Sequence, residues 1–316
     1  MASIEGTVVV LGTGGTIAGT AASATQGVGY RAAQLGVDAL VAAVPALAAW
    51  PLECEQVAQV DSKDMDHALW LRLAQRVQTQ LPRPEVCGVV ITHGTDTLEE
   101  TAYFLQRVLA PHKPVVLTAA MRPATSLQAD GPQNLLDAVR LAREPGARGV
   151  LAVLAGKVAA GIELRKQHSY RLDAFDCGDA GPLGCIEEGR LRRWREWPST
   201  ERAFGLDGLG SDCALWPKVA IVLSHAHADG GVIDALVAAG VQGIVVAGTG
   251  NGSVHRTLSD ALRQAQQRGV QVRRVSRCAY GGVVGEAADA LPVLPTLSAV
   301  QARVELMLEM LAARSA

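Results

Sequence analysis

Two short stretches place hydroxyl, glycine and acid side chains where runs of β-branched residues stop. Thr13-Gly14-Gly15-Thr16-Ile17-Ala18 follows Thr7–Leu11, and His93-Gly94-Thr95-Asp96-Thr97 follows Gly88–Thr92. A third, Ala119-Ala120-Met121-Arg122-Pro123, follows Pro114–Thr118. A threonine hydroxyl is a poor nucleophile at neutral pH and needs a neighbouring base and donors for a developing oxyanion. Thr16 and Thr95 are candidates for that role, with Asp96 beside the second. A lysine held near Thr95 could activate it, because burial lowers a lysine's proton affinity. Glycines let the backbone approach a small substrate and let the first loop open and close over it. Each loop also has a plainer reading: Thr16 capping a tight turn, and Thr95-Asp96-Thr97 capping a helix. These residues alone leave both readings open.

Other chemistries fit less well. The Gly12-x-Gly14 pair has Ile17 where a dinucleotide fingerprint needs glycine, and no GK[ST] occurs anywhere, which excludes a P-loop. Ser224-His225-Ala226-His227-Ala228-Asp229 has the HxHxD spacing of a metal-dependent hydrolase. Gly230 stands where a further histidine belongs, however, and only His255 remains downstream. His225 and His227 are therefore a distant alternative. The tighter reading is a strand end with Asp229 capping the next helix.

The elements that must position these loops alternate in type, which predicts βαβ units and a parallel sheet. Strands are expected at Thr7–Leu11, Gly88–Thr92, Pro114–Thr118, Gly149–Leu154, Val219–Ser224, Gly243–Ala247 and Val270–Ser276. Helices are expected at Gln34–Ala42, Asp66–Gln80, Leu98–Leu109, Gln133–Ala142, Asp229–Ala239, Val254–Arg268 and Thr296–Ala313. Thr97 with Glu100 forms a capping box, and Pro132 suits a first helical turn. The strand–helix rhythm stops between about Glu187 and Pro217, a stretch with prolines, glycines and three of the five tryptophans. The expected layout is α/β. A large N-terminal catalytic domain (1–190) carries a mainly parallel sheet flanked by helices. A linker (191–216) leads to a smaller C-terminal α/β domain (217–316).

Composition supports a globular fold. Of the 316 residues, 49% are apolar and 19% charged, so core material is ample. Aromatics are only 4%, which favours tight helix-on-sheet packing by Ala, Val, Leu and Ile. The net charge is −2 with scattered basic residues, which gives no footprint for nucleic acid or an anionic membrane. Arg190, Arg192, Arg193 and Arg195 read as a solvated surface segment. No apolar run is long enough to span a bilayer. Six cysteines at 54, 87, 177, 185, 213 and 278 form no CxxC pair and read as reduced. With no leader-like N-terminus, a cytoplasmic location is expected, a periplasmic protein lacking its leader being the alternative.

Taken together, the loops resemble the bacterial-type L-asparaginase family. Its two signatures correspond to Thr13-Gly14-Gly15-Thr16-Ile17-Ala18 and to the stretch from Ile91 to Ala102. The similarity continues through Lys113-Pro114-Val115-Val116, Ala120-Met121-Arg122-Pro123, Ala129-Asp130-Gly131-Pro132 and Gly248-Thr249-Gly250-Asn251-Gly252. The resemblance implies a cofactor-free amidohydrolase that turns L-asparagine into L-aspartate and ammonia, with L-glutamine as an alternative substrate. Thr16 would attack the amide carbon to form a β-aspartyl-enzyme, assisted by Tyr30. Thr95, Asp96 and Lys166 would form a second cluster, with Asp96 meeting the substrate ammonium. Backbone N–H groups near Gly15 and Thr95 would hold the oxyanion, beside Gly94, and the Ala120 carbonyl would receive the leaving amide. Ser62 matches the position that binds the α-carboxylate. Lys63 stands where glutamine is frequent, either adding a charge-assisted bond or pointing to solvent. Ser253 and Glu286 match weaker binding positions, Glu286 reaching a neighbouring subunit's site in a homotetramer. The disulfide of some secreted relatives has no counterpart, since Pro111 to Lys113 lacks its second cysteine. A related archaeal amidotransferase carries an extra N-terminal domain, which is not expected here because the first strand begins at about Thr7.

Overall fold

The computed structural model describes residues 5–25, 27–200, 204–285 and 291–315. In chain order the strands are β1 (Thr7–Gly14), β2 (Leu52–Val60), β3 (Val86–Thr92), β4 (Pro114–Thr118), β5 (Gly149–Leu154), β6 (Lys157–Ala160), β7 (Arg165–Lys166), β8 (Phe175–Asp176), β9 (Gly184–Glu187), β10 (Arg190–Arg193), β11 (Val219–Leu223), β12 (Gly243–Gly248) and β13 (Gln271–Ser276). The helices are α1 (Val37–Ala42), α2 (His67–Gln80), α3 (Leu98–Leu109), α4 (Gly131–Ala142), α5 (Gly231–Ala238), α6 (Arg256–Gln267) and α7 (Ala299–Ser315).

The chain forms two units, Met1–Leu206 and Asp207–Ala316. The first is built on an eight-stranded sheet in the order β10-β9-β6-β5-β4-β3-β1-β2. From β2 to β5 every pairing is parallel, and β6, β9 and β10 continue it antiparallel. The central strands β3, β4 and β5 are buried along their whole length. Continuous Val, Ile and Leu runs of this kind are what a sheet covered on both faces requires. One face is filled by Leu40 and Leu47 together with Leu135, Ala138, Val139 and Ala142 of α4. The second unit is a parallel sheet, β11-β12-β13, with Leu258 and Leu262 of α6 on one face and Leu306 of α7 on the other. Among the described residues no helix is long and apolar enough to cross a membrane.

The structure departs from the expected elements in specific places. β2 was not anticipated. It lies at the sheet edge, and its outward Glu53 and Glu55 pair with Arg83 and Arg76. Charge on an edge strand blunts unwanted pairing, and it also hides the strand from a hydrophobicity pattern. Arg190–Arg193, expected at the start of the connecting stretch, is instead edge strand β10, paired antiparallel with β9. Its arginines are anchored: Arg192 pairs with Glu187, and Arg195 just beyond makes a two-pronged ion pair with Glu163 at 2.7 Å. The Thr97 capping box does not form. The Thr97 hydroxyl leaves the cap position and donates to the Ser62 carbonyl at 2.8 Å.

Candidate active site

Parallel pairing of β2, β1, β3 and β4 brings the three loops of interest to one edge of the sheet, at the carboxyl ends of β1, β3 and β4. This is where open parallel sheets carry their ligands. β1 ends in glycine and passes at once into the 3₁₀ turn Thr16–Ala18, whose residues are all buried. Thr13 Oγ1 donates to the Thr92 carbonyl at 2.9 Å and ties the first loop to the end of β3. The Thr16 and Tyr30 hydroxyl oxygens are 2.6 Å apart. Burial pushes the Tyr30 phenol above its ordinary value, and the hydrogen bond with Thr16 works against that shift. Tyr30 is therefore a neutral phenol at neutral pH and can pass a proton without storing a charge. The Gly15 N–H itself donates to the Val60 carbonyl at 2.9 Å, extending the pairing with β2, so of the N–H groups near Gly15 this one is spent in the fold.

The second threonine lies at the end of β3. Thr95 is buried, and Lys166 Nζ donates to its hydroxyl at 2.9 Å and to Asp96 Oδ1 at 2.6 Å. Lys166 belongs to β7, which pairs with β8 and sits outside the main sheet. The lysine thus reaches in from a separate ribbon. Ser62 is buried, and its Oγ accepts the Asp96 N–H at 3.1 Å. Lys63 turns the other way. Its Nζ pairs with Asp64 at 2.7 Å and Asp61 at 3.2 Å, and the side chain is 60% exposed. Of the two readings for Lys63, the solvent-facing one describes this structure.

Two glycines hold these loops together. Gly15 adopts φ +79°, and a Cβ there would run into the backbone of Gly94. A Cβ on Gly94 would in turn strike the Ser62 side chain. The three residues pack so closely that only hydrogen fits between the loops.

Several supporting residues escaped the sequence reading. His93 is fully buried, with Nδ1 2.7 Å from the Gly94 carbonyl and Nε2 3.0 Å from Thr101 Oγ1, which also accepts from Trp70 Nε1 at 2.9 Å. A carbonyl accepts only, so Nδ1 carries the hydrogen and Nε2 takes the Thr101 proton. Burial pushes this imidazole down to about 4, so it is neutral. The Asp130 carboxylate accepts the N–H groups of Met121 and Arg122, and Asn134 Nδ2 donates to the Ala119 carbonyl at 2.9 Å. Together they fix the turn that carries Ala120. Glu99, in the first turn of α3, is pushed up to about 7 by burial, and its carboxylate accepts the Lys166 backbone N–H. The motif Asp130-Gly131-Pro132 was visible in the sequence as a helix start and as part of the resemblance, but without this bracing role.

The remaining positions fall outside the first unit. Ser253 lies in the second unit, where it exchanges backbone hydrogen bonds with Thr249. Glu286 lies outside the described residues. His225 Nδ1 lies 2.8 Å from the neighbouring Ala226 carbonyl, and Asp229 accepts the Gly231 N–H at the start of α5. Among the described residues, no three His, Cys, Asp or Glu side chains gather as a metal would need.

Comparison with known proteins covers both units. Residues 7–198 match the family model "Asparaginase, N-terminal", and residues 218–314 match "Glutaminase/Asparaginase C-terminal domain". L-asparaginase 2 of Escherichia coli is 40% identical over 283 residues, 89% of this chain and 80% of that one. Glutaminase-asparaginase of Pseudomonas fluorescens is 38% identical over 280 residues, covering 88% and 77%. The crystal structure of a probable cytoplasmic L-asparaginase from Campylobacter jejuni superposes with a TM-score of 0.91 at 38% identity, covering 96% of this chain and 95% of that one.

Proposed function

The chain belongs to the asparaginase family, and we propose that it hydrolyses L-asparagine to L-aspartate and ammonia through a covalent threonine intermediate. The observation that carries this reading is a pair of buried threonine hydroxyls at strand ends. Thr16 has Tyr30 at 2.6 Å and Thr95 has Lys166 at 2.9 Å.

In the proposed reaction Thr16 Oγ attacks the side-chain amide carbon while its proton passes to the Tyr30 oxygen and Tyr30 hands its own phenolic proton on to the amide nitrogen, so the phenol stays neutral. The tetrahedral intermediate then expels that protonated nitrogen, which leaves as ammonia. A water molecule next adds to the ester carbon and breaks the bond to Thr16 Oγ, which regains a proton. Thr95 and Lys166 assist proton transfer to and from that water. The substrate ammonium meets the Asp96 carboxylate, which it shares with Lys166. Ser62, whose oxygen already accepts the Asp96 N–H, directs its hydroxyl hydrogen to the α-carboxylate. The Ala120 carbonyl, on the turn fixed by Asp130 and Asn134, receives the leaving amide. Oxyanion donors are sought at the N–H groups around Thr16 and Thr95 rather than at Gly15.

Relatives named glutaminase-asparaginase favour a second activity. Asparagine and glutamine differ by one methylene, a difference worth about 1–3 kcal/mol in a pocket. A homotetramer, with Ser253 and Glu286 adding ligand contacts, and a cytoplasmic setting complete the proposal; the similarity to the Campylobacter jejuni structure supports the latter. The test is ammonia release by the purified protein from L-asparagine and L-glutamine, with and without chelator. Chelator-insensitive release from asparagine supports the reading, and the ratio of rates sets the substrate range. No release from either amide overturns it.

A further inference from the structure

Residues 20–25 and 27–31, Tyr30 among them, belong to a loop segment whose ends are tied to each other. The backbones of Thr20 and Arg31 exchange hydrogen bonds at 2.9 and 3.0 Å. Between those ends the segment rests on residues 122–127. The Ala21 N–H donates to Thr125 Oγ1 at 2.8 Å, and the Leu127 N–H donates to the Ala24 carbonyl at 2.9 Å. At its far side Gly27 faces Tyr170 and Arg122. A Cβ there would lie 3.0 Å from the Tyr170 hydroxyl and 3.8 Å from Arg122 Cδ and Nε.

Arg122 and Tyr170 are themselves a unit. The guanidinium is stacked over the Tyr170 ring at 3.9 Å, and its Nη1 donates to the Tyr170 carbonyl at 2.8 Å and the Met121 carbonyl at 3.2 Å. Arg122 is 6% exposed, so its charge is met by two carbonyls and an aromatic face. Its backbone N–H is held by Asp130, which anchors the pair to the turn after β4. Tyr170 is half exposed, so the ring serves the guanidinium and the loop above it more than the core. The guanidinium charge also reaches Tyr30 and offsets part of the effect of burial on that phenol.

We propose that the Arg122–Tyr170 pair is the latch on which residues 27–31 seat, making both side chains positioning residues that hold Tyr30 against Thr16. The kinetic half of this proposal rests on the threonine mechanism above. The seating half does not. Without the Tyr170 side chain, the guanidinium loses its aromatic face and Gly27 the hydroxyl it faces, and the loop lifts more often.

The experiment compares Tyr170→Ala, Tyr170→Phe and the native chain. Arg31 is the first basic residue in the sequence, so trypsin cutting there makes one fragment, Met1–Arg31, which β1 holds in the sheet until the digest is denatured. Its release is read on a denaturing gel after digestion under native conditions, normalised to cleavage after the exposed Lys218, alongside kcat and KM for L-asparagine. A cation–π contact of this kind is worth roughly tenfold in an equilibrium. Tyr170→Ala is expected to release the peptide about tenfold faster and to lose about tenfold in kcat, while Tyr170→Phe, which keeps the ring under the guanidinium and loses the hydroxyl facing Gly27, falls between that variant and the native chain in both. Native release rates in Tyr170→Ala overturn the latch. Equal rates in Tyr170→Phe and Tyr170→Ala leave the stacked ring without a part in the seating and also overturn it. Faster release with unchanged kcat overturns the positioning of Tyr30. A chain that hydrolyses neither amide refutes the threonine mechanism, and the proteolysis ratio still decides the latch.

Discussion

Thr16 and Thr95 are both buried hydroxyls beside a proton carrier, and the proposed scheme gives each its own step. Thr16→Ala and Thr95→Val should each lower kcat by at least ~1000-fold while leaving the unfolding transition in place. Near-native turnover in either would sink the two-threonine scheme. Lys63 should behave differently. Its ion pairs with Asp61 and Asp64 are exposed, so Lys63→Gln should leave KM for asparagine unchanged. A several-fold rise in KM would bring it back into the binding site. Glu99 and His93 give opposing pH dependences. Glu99 is held above its ordinary value of 4.5, at about 7, so its contribution is greatest below pH 4.5 and is lost as pH rises towards 7. His93 is held below 6.5, at about 4, so its contribution is present above pH 6.5 and is lost as pH falls towards 4. The two slopes oppose each other over the same window. Glu99→Gln removes one of them. Denaturant unfolding should show this variant gaining on the native chain by on the order of 2 kcal/mol between pH 4.5 and pH 8. A pH-independent difference would refute the assignment.

At the scale of elements, the site is a seam between loops that belong to different strands. The seam is closed by Gly15 against Gly94 and by Gly94 against Ser62. A methyl group at either glycine forces the loops apart, and Gly15 also needs its positive φ. Gly15→Ala and Gly94→Ala should each lower the unfolding free energy by about 2–4 kcal/mol, measured by denaturant melts. Activity should fall together with stability, because the same separation moves Thr16 from Thr95. The central strands, with their unbroken apolar runs, were legible in the sequence. Strands β2, β9 and β10 were not. They are short or lie at an edge and carry charges whose partners, such as Arg83 and Glu187, become visible only in three dimensions. The Thr97 hydroxyl shows the same limit: a local capping pattern yields when a tertiary acceptor, the Ser62 carbonyl, is available.

On the scale of the whole molecule, each unit has its own sheet, mixed in the first and parallel in the second, and its own apolar core. The proposed tetramer predicts that light scattering will return the mass of four chains. It further predicts that activity per chain will fall on dilution below the assembly constant. A fully active single chain would remove any role for a neighbouring subunit's residues. Relatives of both named activities match along most of the chain, so the substrate ratio must be measured.

The sequence alone determined the residues with chemical potential and the strand ends that carry them. Glycine beside threonine at the end of a β-branched run is a local pattern, and parallel sheets send such ends to one edge. It could not determine which hydroxyl meets which partner. Thr16 and Tyr30 are 14 residues apart, Thr95 and Lys166 71, and only the closed fold brings them within 2.6 and 2.9 Å. Nor could it foresee that the Gly15 N–H is taken by Val60, because β2 could not be read from its pattern. Hydrophobic periodicity is written along the chain. Hydrogen-bond partners are set by what the chain packs against, and that is decided in the tertiary structure.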